Sequence, residues 1–245
     1  MKGYNGFGND SHCVILLNGE EDAAGIGAPT FYEVSNGGTT HACTLYSADT
    51  SYPERDASIR KFGNNSWMFP SSSAQKGILV GNGLHEDWTI GSLDFTIDYW
   101  AYDNKGYIST GTQNVMIAGV YLDANNYWGI FYDVTGGTPA SVDYHFISRR
   151  GGVNSIDLSF TLSITAGAFT HFAVVKKDSA VNIYVNGISQ ANGTLSSLDT
   201  INSNFKVGVF VDDESFDREF RIDEFRFSKG IARWTNNFTV PNRAY

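Results

Sequence analysis

The chain has 245 residues, with 42% hydrophobic and 14% aromatic side chains, enough for a sizeable core in one large domain or two small ones. A formal net charge of -9 and a pI near 4.9 predict a surface that repels phosphate groups, which argues against nucleic acid and anionic membranes as partners. The N-terminus lacks the apolar segment of a signal peptide, and the apolar run at 13–17 has the length of a strand, so we expect neither a secretory address nor membrane insertion.

The N-terminal half predicts an arm followed by short strands. Residues 1–12 are rich in Gly and Asn and predict a flexible arm, and we expect one β-sandwich domain to fill 13–245. The apolar run at 14–17 predicts the first strand, which ends at Asn18-Gly19. Further strands are predicted at 40–45, 67–69, 78–80 and 94–99.

The second half predicts a series of hairpins. Alternation at 172–177 and 181–185 predicts one hairpin, and Asn186-Gly187 suits a primed turn into the next strand, since both residues tolerate positive φ. The other strands are predicted at 115–122 and 127–134, joined by a polar four-residue turn, and at 142–148 and 156–164.

The closing strand near 220–227 contains a break in its alternation. The apolar residues before Asp223 lie on one face, whereas Phe225 and Phe227 after it are in the opposite phase. One extra residue near Asp223-Glu224 would reconcile the two halves, so we predict a β-bulge there. The tail that follows is predicted to lie back on the body of the domain.

The chain as a whole has the pattern of an all-β domain. No segment of ten or more residues has a convincing helical period, and there is no internal repeat and no shift in composition. We therefore predict a single jelly-roll β-sandwich of two antiparallel sheets. Cys13 and Cys43 either form a bridge or are two buried thiols, because their spacing does not demand a disulfide.

Six segments, in order along the chain, resemble the signatures of one family. They are Cys13-Val14-Ile15-Leu16-Leu17, Lys61-Phe62-Gly63 before Trp67-Met68-Phe69, Phe95-Thr96-Ile97-Asp98-Tyr99-Trp100, Thr170-His171-Phe172-Ala173-Val174-Val175, Ile183-Tyr184-Val185-Asn186-Gly187 and Ile222-Asp223-Glu224-Phe225-Arg226-Phe227. Together they are similar to the concanavalin A-like lectin/glucanase superfamily, in particular its laminin G-like jelly-roll branch. Many relatives have Asp-Gly after the position of Phe69, where this chain has Pro70-Ser71, so a ligand at this point is not carried over.

The tail Ala232-Arg233-Trp234-Thr235-Asn236-Asn237-Phe238-Thr239-Val240-Pro241 resembles a variant common in bacteriophage virion proteins, where the domain sits on tails, fibres or capsids. This resemblance implies a virion protein that is assembled in the host cytoplasm beside other virion proteins. It also implies a homo-oligomer or many copies on one particle. It suggests context rather than chemistry.

The resemblance also implies a structural Ca²⁺ between the first loop and the closing strand. Asp223 matches the closing-strand aspartate of that arrangement, and the loop at 18–22 could supply further oxygens. A second acidic group at 212–217 is either a solvated loop or another cation site. The five histidines are scattered, and none of them lies in a metal-ligand motif.

The sequence lacks the carboxylate pattern of a glycosidase. The resemblance implies that a glucanase would carry acid-x-acid-x-acid on one face of one strand, which places two carboxylates close together. The nearest patterns here, Glu219-x-Arg221-x-Asp223 and Asp94-x-Thr96-x-Asp98, have a non-acidic middle residue. No Ser/His/Asp arrangement stands out, so we expect no catalytic residues and no enzyme activity.

A polar turn with neighbouring aromatic residues is the candidate carbohydrate site. Its residues are Asp123, Asn125, Asn126, Trp128 and Tyr132. The polar groups can fix sugar hydroxyls, and the rings can stack on a sugar. Trp128 and Tyr132 share one face of their strand and Tyr127 lies on the other, so Trp128 is either a sugar platform or a core anchor.

The leading hypothesis is therefore a non-enzymatic virion structural protein, a decoration, fibre or tail adhesion module. Such a module would bind host or environmental glycans weakly, and many copies on a particle would multiply the weak sites. Two alternatives stay open: a glycan-active hydrolase with a different catalytic pair, and a cement protein that binds no sugar.

Overall fold

A computed structural model describes residues 9–20, 30–47, 52–70, 76–103, 108–137, 141–163, 165–208 and 219–245. The strands are β1 Cys13–Leu17, β2 Thr30–Tyr32, β3 Ala42–Ser47, β4 Glu54–Asp56, β5 Ser66–Phe69, β6 Lys76–Val80, β7 Phe95–Asp103, β8 Ile108–Asp123, β9 Asn126–Gly137, β10 Ser141–Arg150, β11 Val153–Ser163, β12 Phe169–Lys177, β13 Ala180–Val185, β14 Ile188–Thr194, β15 Phe205–Val207 and β16 Phe220–Lys229. One 3₁₀ turn, Glu86–Trp88, lies between β6 and β7. In these ranges no helix is long and apolar enough to span a membrane.

The strands form two eight-stranded sheets. Sheet A has the order β14-β13-β12-β7-β16-β5-β4, and β1 also pairs with β16. Sheet B has the order β11-β10-β9-β8-β15-β6-β3-β2. All of the pairs between described strands are antiparallel. The predicted all-β sandwich of two antiparallel sheets is therefore confirmed.

The core lies between the two sheets and is rich in aromatic rings. Alternation sends one face of each strand inward, so Trp128 and Ile130 of β9 are buried while Tyr127 lies on the outer face. Rings of the two sheets meet across the core, as where Phe205 stacks on Phe227 with centroids 5.3 Å apart. Burying one large apolar side chain contributes roughly 1.5–3 kcal/mol, so this layer is the main source of stability.

The predicted hairpin at 172–185 is confirmed as β12 and β13. Asn186 and Gly187 have φ values of 48° and 77°, as a primed turn requires. A Cβ atom on Gly187 would lie 2.0 Å from the carbonyl oxygen of Phe238. Glycine is therefore needed where the tail crosses this turn.

The C-terminal tail lies back on the body of the domain, as predicted, and there it covers part of the outer face of sheet A. Trp234 and Phe238 stack with ring centroids 4.0 Å apart and pack on side chains of β12 and β13. The backbone N–H of Phe238 donates to the carbonyl of Gly187 at 2.9 Å, and the N–H of Ser189 donates to Oδ1 of Asn237 at the same distance. The tail is thus fixed by both packing and hydrogen bonds.

The N-terminal residues are described only from Asn9 onward, and residues 1–8 of the predicted arm lie outside the described ranges. Asn9 Nδ2 donates to the carbonyl of Val34 at 2.9 Å, and Asp10 forms an ion pair with Arg233 at 2.9 Å. This part of the predicted arm is therefore attached to the sandwich.

The structure settles two local predictions, one about the cysteines and one about a turn. Cys13 and Cys43 are separate buried thiols, which confirms the second of the two alternatives. The turn between β8 and β9 is shorter than predicted. Asp123 and Asn126 face each other as strand partners, so the connection has two residues rather than four.

Strand β16 changes its neighbour halfway along its length. One edge pairs with β7 throughout, whereas the other pairs first with β5, over 220–222, and then with β1. The predicted bulge lies at this change, because the register with β7 shifts between Asp223 and Arg226 and Glu224 has a φ of 52°. The loop that leaves β1 and the loop that enters β5 therefore meet at Asp223.

Candidate functional site

Asp223 is a buried carboxylate at the point where β16 changes its neighbour. The residue is 0% exposed. Its Oδ2 accepts hydrogen bonds from the backbone N–H groups of Lys61 and Phe62, at 2.6 and 3.1 Å. Its Oδ1 is buried and has no hydrogen-bond partner among the described residues. Since buried polar atoms are nearly always bonded, this oxygen needs an explanation.

The electrostatics of Asp223 show that its carboxyl group lacks a positively charged neighbour in the described part of the chain. Burial raises the pKa of Asp223 to about 7, although hydrogen bonds from the N–H groups of Phe62 and Lys61 act against the rise. The negative charge of Glu20 adds to it. A carboxylate in this position is ionised more easily once a positive charge is beside it.

Glu20 is held close to Asp223 by the loop that enters β5. Its carboxylate accepts hydrogen bonds from the N–H groups of Asn64 and Asn65, at 2.5 and 2.9 Å. Gly63 permits this approach, because a Cβ atom there would lie 2.7 Å from Oε1 of Glu20. Asp223 and Glu20 thus provide carboxylate oxygens, which are the type of ligand that the Ca²⁺ implied by the resemblance requires. The second acidic group, at 212–217, lies outside the described residues.

The polar residues of the candidate sugar site form a compact turn. Asp123 accepts hydrogen bonds from the N–H of Asn125 at 2.8 Å and from Nδ2 of Asn126 at 2.9 Å. Oδ1 of Asn126 in turn accepts from the N–H of Gly151, and the N–H of Gly152 donates to the carbonyl of Asn125. The turn is therefore rigid and braced against the neighbouring β10–β11 turn, with Asp123 on the surface.

Trp128 does not belong to a sugar site. It is 0% exposed and packs in the core against Phe205 and Phe227. The prediction that this ring stacks on a sugar is wrong, because no ligand can reach it without opening the sandwich. The alternative that Trp128 is a core anchor is confirmed.

Tyr132 lies away from the polar turn, in a cavity of about 140 Å³ between the sheets. It is six residues beyond Asn126 on the same strand, which corresponds to about 20 Å. The hydroxyls of Tyr99 and Tyr144, which also line this cavity, are 2.7 Å apart. Burial raises the pKa of Tyr132, so its hydroxyl stays protonated. The structure does not bring Tyr132 together with Asp123, Asn125 and Asn126.

The outer face of sheet B carries other aromatic rings beside the polar turn. Tyr121 and Tyr127 face each other on β8 and β9, with ring centroids 5.6 Å apart. Arg149 is the partner of Tyr127 on β10, and its buried Nε has no hydrogen-bond partner among the described residues. The set formed by Tyr121, Asp123, Asn126, Tyr127 and Arg149 is called the outer patch below. Alternation alone identified Tyr127 as the opposite face to Trp128, but it could not say which face is outside.

Three of the four carboxylates in the two acidic patterns considered for hydrolysis are held in ion pairs, and the fourth, Asp223, is the buried carboxylate described above. In the first, Arg221 binds both Glu219 and Asp56 at 2.6 Å. In the second, Asp94 and Asp98 each have a basic partner, at 2.8 and 2.9 Å. These carboxylates are structural members of ion pairs, unlike the two acids that a glycosidase leaves facing its substrate.

Two of the five histidines, which the sequence shows as scattered, meet in space. His41 lies just before β3, while His85 and Asp87 lie at the 3₁₀ turn after β6. The potential ligand atoms of the three side chains all lie within 4.8 Å of one another. Only the pairing of β3 with β6 brings them together, since His41 and Asp87 are 46 residues apart. The short His85-x-Asp87 spacing was the one local signal.

Comparisons with known proteins bear on the fold as a whole. A family model for the concanavalin A-like lectin/glucanases superfamily matches residues 75–232. No curated protein matches the sequence significantly.

Several solved structures resemble the fold. One is the receptor binding domain of botulinum neurotoxin C/D mosaic serotype, with 12% identity, a TM-score of 0.60, and coverage of 90% of this chain and 49% of that chain. Another is the serotype D ligand binding domain in complex with N-acetylneuraminic acid, with 12% identity, a TM-score of 0.57 and coverage of 91% and 49%. The serotype G binding domain has 13% identity, a TM-score of 0.54 and coverage of 89% and 48%.

This chain spans about half the length of the solved structures it matches. Their low sequence identity shows a shared fold and nothing further. The family model covers more than half of the chain, and the two-sheet sandwich agrees with it. The chain belongs to the concanavalin A-like lectin/glucanase superfamily.

Proposed function

We propose that this domain is a non-enzymatic carbohydrate-binding module and that the outer patch is its sugar site. The observation that carries the proposal is the position of Tyr121 and Tyr127, two partly exposed rings beside the rigid turn of Asp123 and Asn126. Aromatic faces provide apolar contact for a sugar ring, and carboxylate and amide groups bond its hydroxyls.

The aromatic part of the site is held in place before any ligand binds. Tyr127 meets Phe131 edge-on at 5.3 Å, and Lys206 places its ammonium 5.5 Å from the ring of Tyr121. Gly119 and Gly129 are strand partners next to the pair of tyrosines, and they place no side chains on the sheet there. The rings of Tyr121 and Tyr127 can therefore lie flat along the sheet. A fixed aromatic surface loses little conformational entropy on binding, which favours even a shallow site.

The basic groups at the outer patch favour an acidic sugar. Arg149 lies beside Tyr127, and Lys206 lies beside Tyr121, on a chain whose net charge is -9. The guanidinium of the partly exposed Arg149 can pair with a sugar carboxylate. One of the structurally similar proteins was solved with N-acetylneuraminic acid, which carries such a group, and this supports the same class of ligand here.

A glycan array with neutral and sialylated sugars tests this proposal. We expect binding by the wild type and a loss of about tenfold or more in Tyr127→Ala, since this change removes the stacking surface. Tyr52→Ala is the matched control, because Tyr52 is 47% exposed and lies before β4 in the other sheet. Equal loss in both variants, or binding that is unchanged in Tyr127→Ala, would overturn the assignment of the site.

Product analysis on the same glycans distinguishes the alternatives. Shortened chains would show a hydrolase and overturn the non-enzymatic proposal. No binding to any glycan would favour a cement protein instead.

We also propose that the module is a virion structural protein present in many copies, as a homo-oligomer or as repeated units on a phage particle beside other virion proteins. The resemblance of the tail around Trp234 supports this context, and repetition would strengthen a shallow site without new contacts. The genomic neighbourhood tests it: adjacent capsid or tail genes are expected, and a neighbourhood without virion genes would overturn it.

A structural Ca²⁺ held by Asp223 and Glu20 is a further part of the proposal. The free Oδ1 of Asp223 and the mutual repulsion of the two carboxylates support it. Saturating Ca²⁺ should raise the melting temperature of the wild type and leave Asp223→Asn unchanged. An equal rise in both would assign the effect to other sites and overturn this one, whatever the glycan array shows.

A further inference from the structure

We propose that His41, His85 and Asp87 form a binding site for a divalent transition metal ion such as Zn²⁺, with a coordination position open to solvent. Two imidazoles and one carboxylate are a donor set that suits Zn²⁺, and three protein ligands with one open position are the usual arrangement of an accessible site. The site is separate from the outer patch and from the Asp223 carboxylate, and it rests on neither.

The distances between the ligand atoms fit one small ion. Nε2 of His41 lies 2.8 Å from Oδ2 of Asp87, and Nδ1 of His85 lies 3.4 Å from the same oxygen. An ion with tetrahedral bonds of 2.0–2.1 Å places its ligand atoms about 3.3 Å apart. The three side chains therefore need only small adjustments to surround a metal.

Nδ1 of His85 faces the other two ligands of the cluster. Its Nδ1 accepts a hydrogen bond from the N–H of Asp87 at 3.2 Å, so this nitrogen carries no proton in that arrangement. The same nitrogen faces the negative Oδ2 of Asp87 at 3.4 Å, and a cation between the two atoms would turn this repulsion into attraction. Nε2 of His41 donates a hydrogen bond to Oδ2 of Asp87 at 2.8 Å, so an ion that binds there displaces this proton and leaves a neutral ring protonated at Nδ1.

The backbone around the cluster holds the ligands in position. The N–H of Thr39 donates to Oδ2 of Asp87 at 3.1 Å, and Gly38 allows this contact because a Cβ atom there would lie 2.6 Å from that oxygen. The N–H of His41 donates to Oε1 of Glu33 at 3.0 Å. Such outer contacts orient metal ligands and add to the affinity of a site.

The site is buried on one side and accessible on the other. The side chains of His41 and Asp87 are 5% and 7% exposed, whereas that of His85 is 31% exposed. An ion would enter past His85 and keep its fourth position toward solvent. The ring of Trp88 lies 5.0 Å from the imidazole of His41 and 5.2 Å from that of His85, so its fluorescence can report on an ion there.

Another histidine of the chain supplies a matched control. His145 contacts Asp157 through Nδ1 at 3.1 Å and Asp133 through Nε2 at 3.7 Å. Because opposite sides of one ring face the two aspartates, the three groups do not converge on a single ion. His145→Ala therefore tests for binding by any surface histidine with acidic neighbours.

The experiment titrates the full chain with Zn²⁺ by calorimetry and with Co²⁺ by visible absorption and tryptophan fluorescence. We expect one ion per chain, a four-coordinate Co²⁺ spectrum that Zn²⁺ abolishes, and affinity reduced about tenfold or more in His85→Ala. His145→Ala should bind as the wild type does. Since His85 is partly exposed, its variant should fold, and circular dichroism checks this.

Three results would overturn the proposal: no binding to the wild type, equal binding by the wild type and His85→Ala, or an equal loss in His145→Ala. A six-coordinate Co²⁺ spectrum would contradict the tetrahedral geometry. Asp87→Asn provides a second test, because it keeps the shape of the side chain while weakening the ligand.

Discussion

Two buried carboxylates on neighbouring strands of sheet A have pKa values that are shifted in opposite directions. Asp98 on β7 and Asp223 on β16 are both 0% exposed. Burial acts to raise the pKa of Asp98, but the guanidinium of Arg226 and the hydrogen bond with His171 outweigh it and hold the pKa below its usual value. Burial raises the pKa of Asp223 to about 7. The depth of burial is the same, so the neighbours decide the charge.

The partners of Asp98 come from three separate parts of the chain. Arg226 donates to both of its oxygens, from Nε at 2.9 Å and from Nη2 at 3.0 Å. Tyr245 of the tail also donates to Oδ2, and Nε2 of His171 lies 3.4 Å from it. The tail then covers the group. Asp223, by contrast, has only backbone N–H groups on one oxygen, and its nearby charge is the negative Glu20. Sheet A therefore neutralises Asp98 internally, whereas Asp223 has no cationic partner among the described residues.

The largest expected effect on stability comes from removing Arg226, the positively charged partner of Asp98. Arg226→Met should lower the free energy of unfolding by about 3–5 kcal/mol, because it leaves a buried charge without its partner. Urea unfolding measures the change. Asp98→Asn combined with Arg226→Met should recover part of the loss, since no lone charge is then buried. A double variant less stable than Arg226→Met would show that the carboxylate is not the source of the penalty.

Asp223 should make the free energy of unfolding fall as the pH rises. In the presence of a chelator, its folded-state pKa of about 7 exceeds the unfolded value of 3.8, so its contribution to stability is greatest below pH 3.8 and falls as pH rises toward 7. The full difference corresponds to about 4 kcal/mol. Asp223→Asn should lack this fall and be the more stable protein at pH 7.

Unfolding curves at several pH values compare the two proteins, and Ca²⁺ should remove most of the difference between them. Asp98 contributes in the other direction, because its lowered pKa gives stability that is present above its unfolded pKa and is lost as pH falls through the acid range. Parallel pH curves for the wild type and Asp223→Asn would contradict the prediction.

Removing the ring of Trp234, which covers Asp98 and its ion pair, should have an intermediate effect on stability. The ring of Trp234 stacks on Phe238, meets His171 edge-on at 5.8 Å and lies 5.7 Å from the guanidinium of Arg226. Trp234→Ala should destabilise the protein by about 2 kcal/mol, through lost burial and stacking. Thermal unfolding measures this, and Trp234→Phe should restore most of the stability. No difference between the Ala and Phe variants would show that the ring does not shield the ion pair.

The smallest expected effect is at Glu20. Glu20→Gln removes a negative charge near Asp223 and should lower the pKa of that carboxyl slightly, because burial is the larger cause. The side chain can still accept hydrogen bonds from Asn64 and Asn65. An NMR titration of the Asp223 carboxyl measures the change. The melting temperature of the same variant should rise less with Ca²⁺. An unchanged rise would show that Glu20 is not a ligand of the cation.

Local patterns predicted the strands and the bulge well. The hairpin at Asn186-Gly187 and the irregularity at Asp223 were found because each depends on a few consecutive residues. The side of the sheet that faces the core was not determined locally, so Trp128 was assigned two possible roles and only packing against Phe205 decided between them.

Contacts between distant residues were beyond reach of these patterns. The pair Asp98 and Arg226 is separated by 128 residues, and His41 and Asp87 by 46. Period-two alternation assigns a residue to a face but not to a neighbour on another strand. A charged residue on the covered outer face of sheet A therefore looks the same in the sequence as one in water.

The central place of β16 in sheet A also constrains how the protein folds. This strand joins β7 on one edge to β5 and β1 on the other, yet it comes after all of them along the chain. Until β16 has emerged from the ribosome, β1, β4 and β5 have no connection to the rest of their sheet. Pairings between such distant segments form slowly. Until β16 pairs with them, the edge of β7 on one side and the edges of β1 and β5 on the other remain unpaired in the nascent chain.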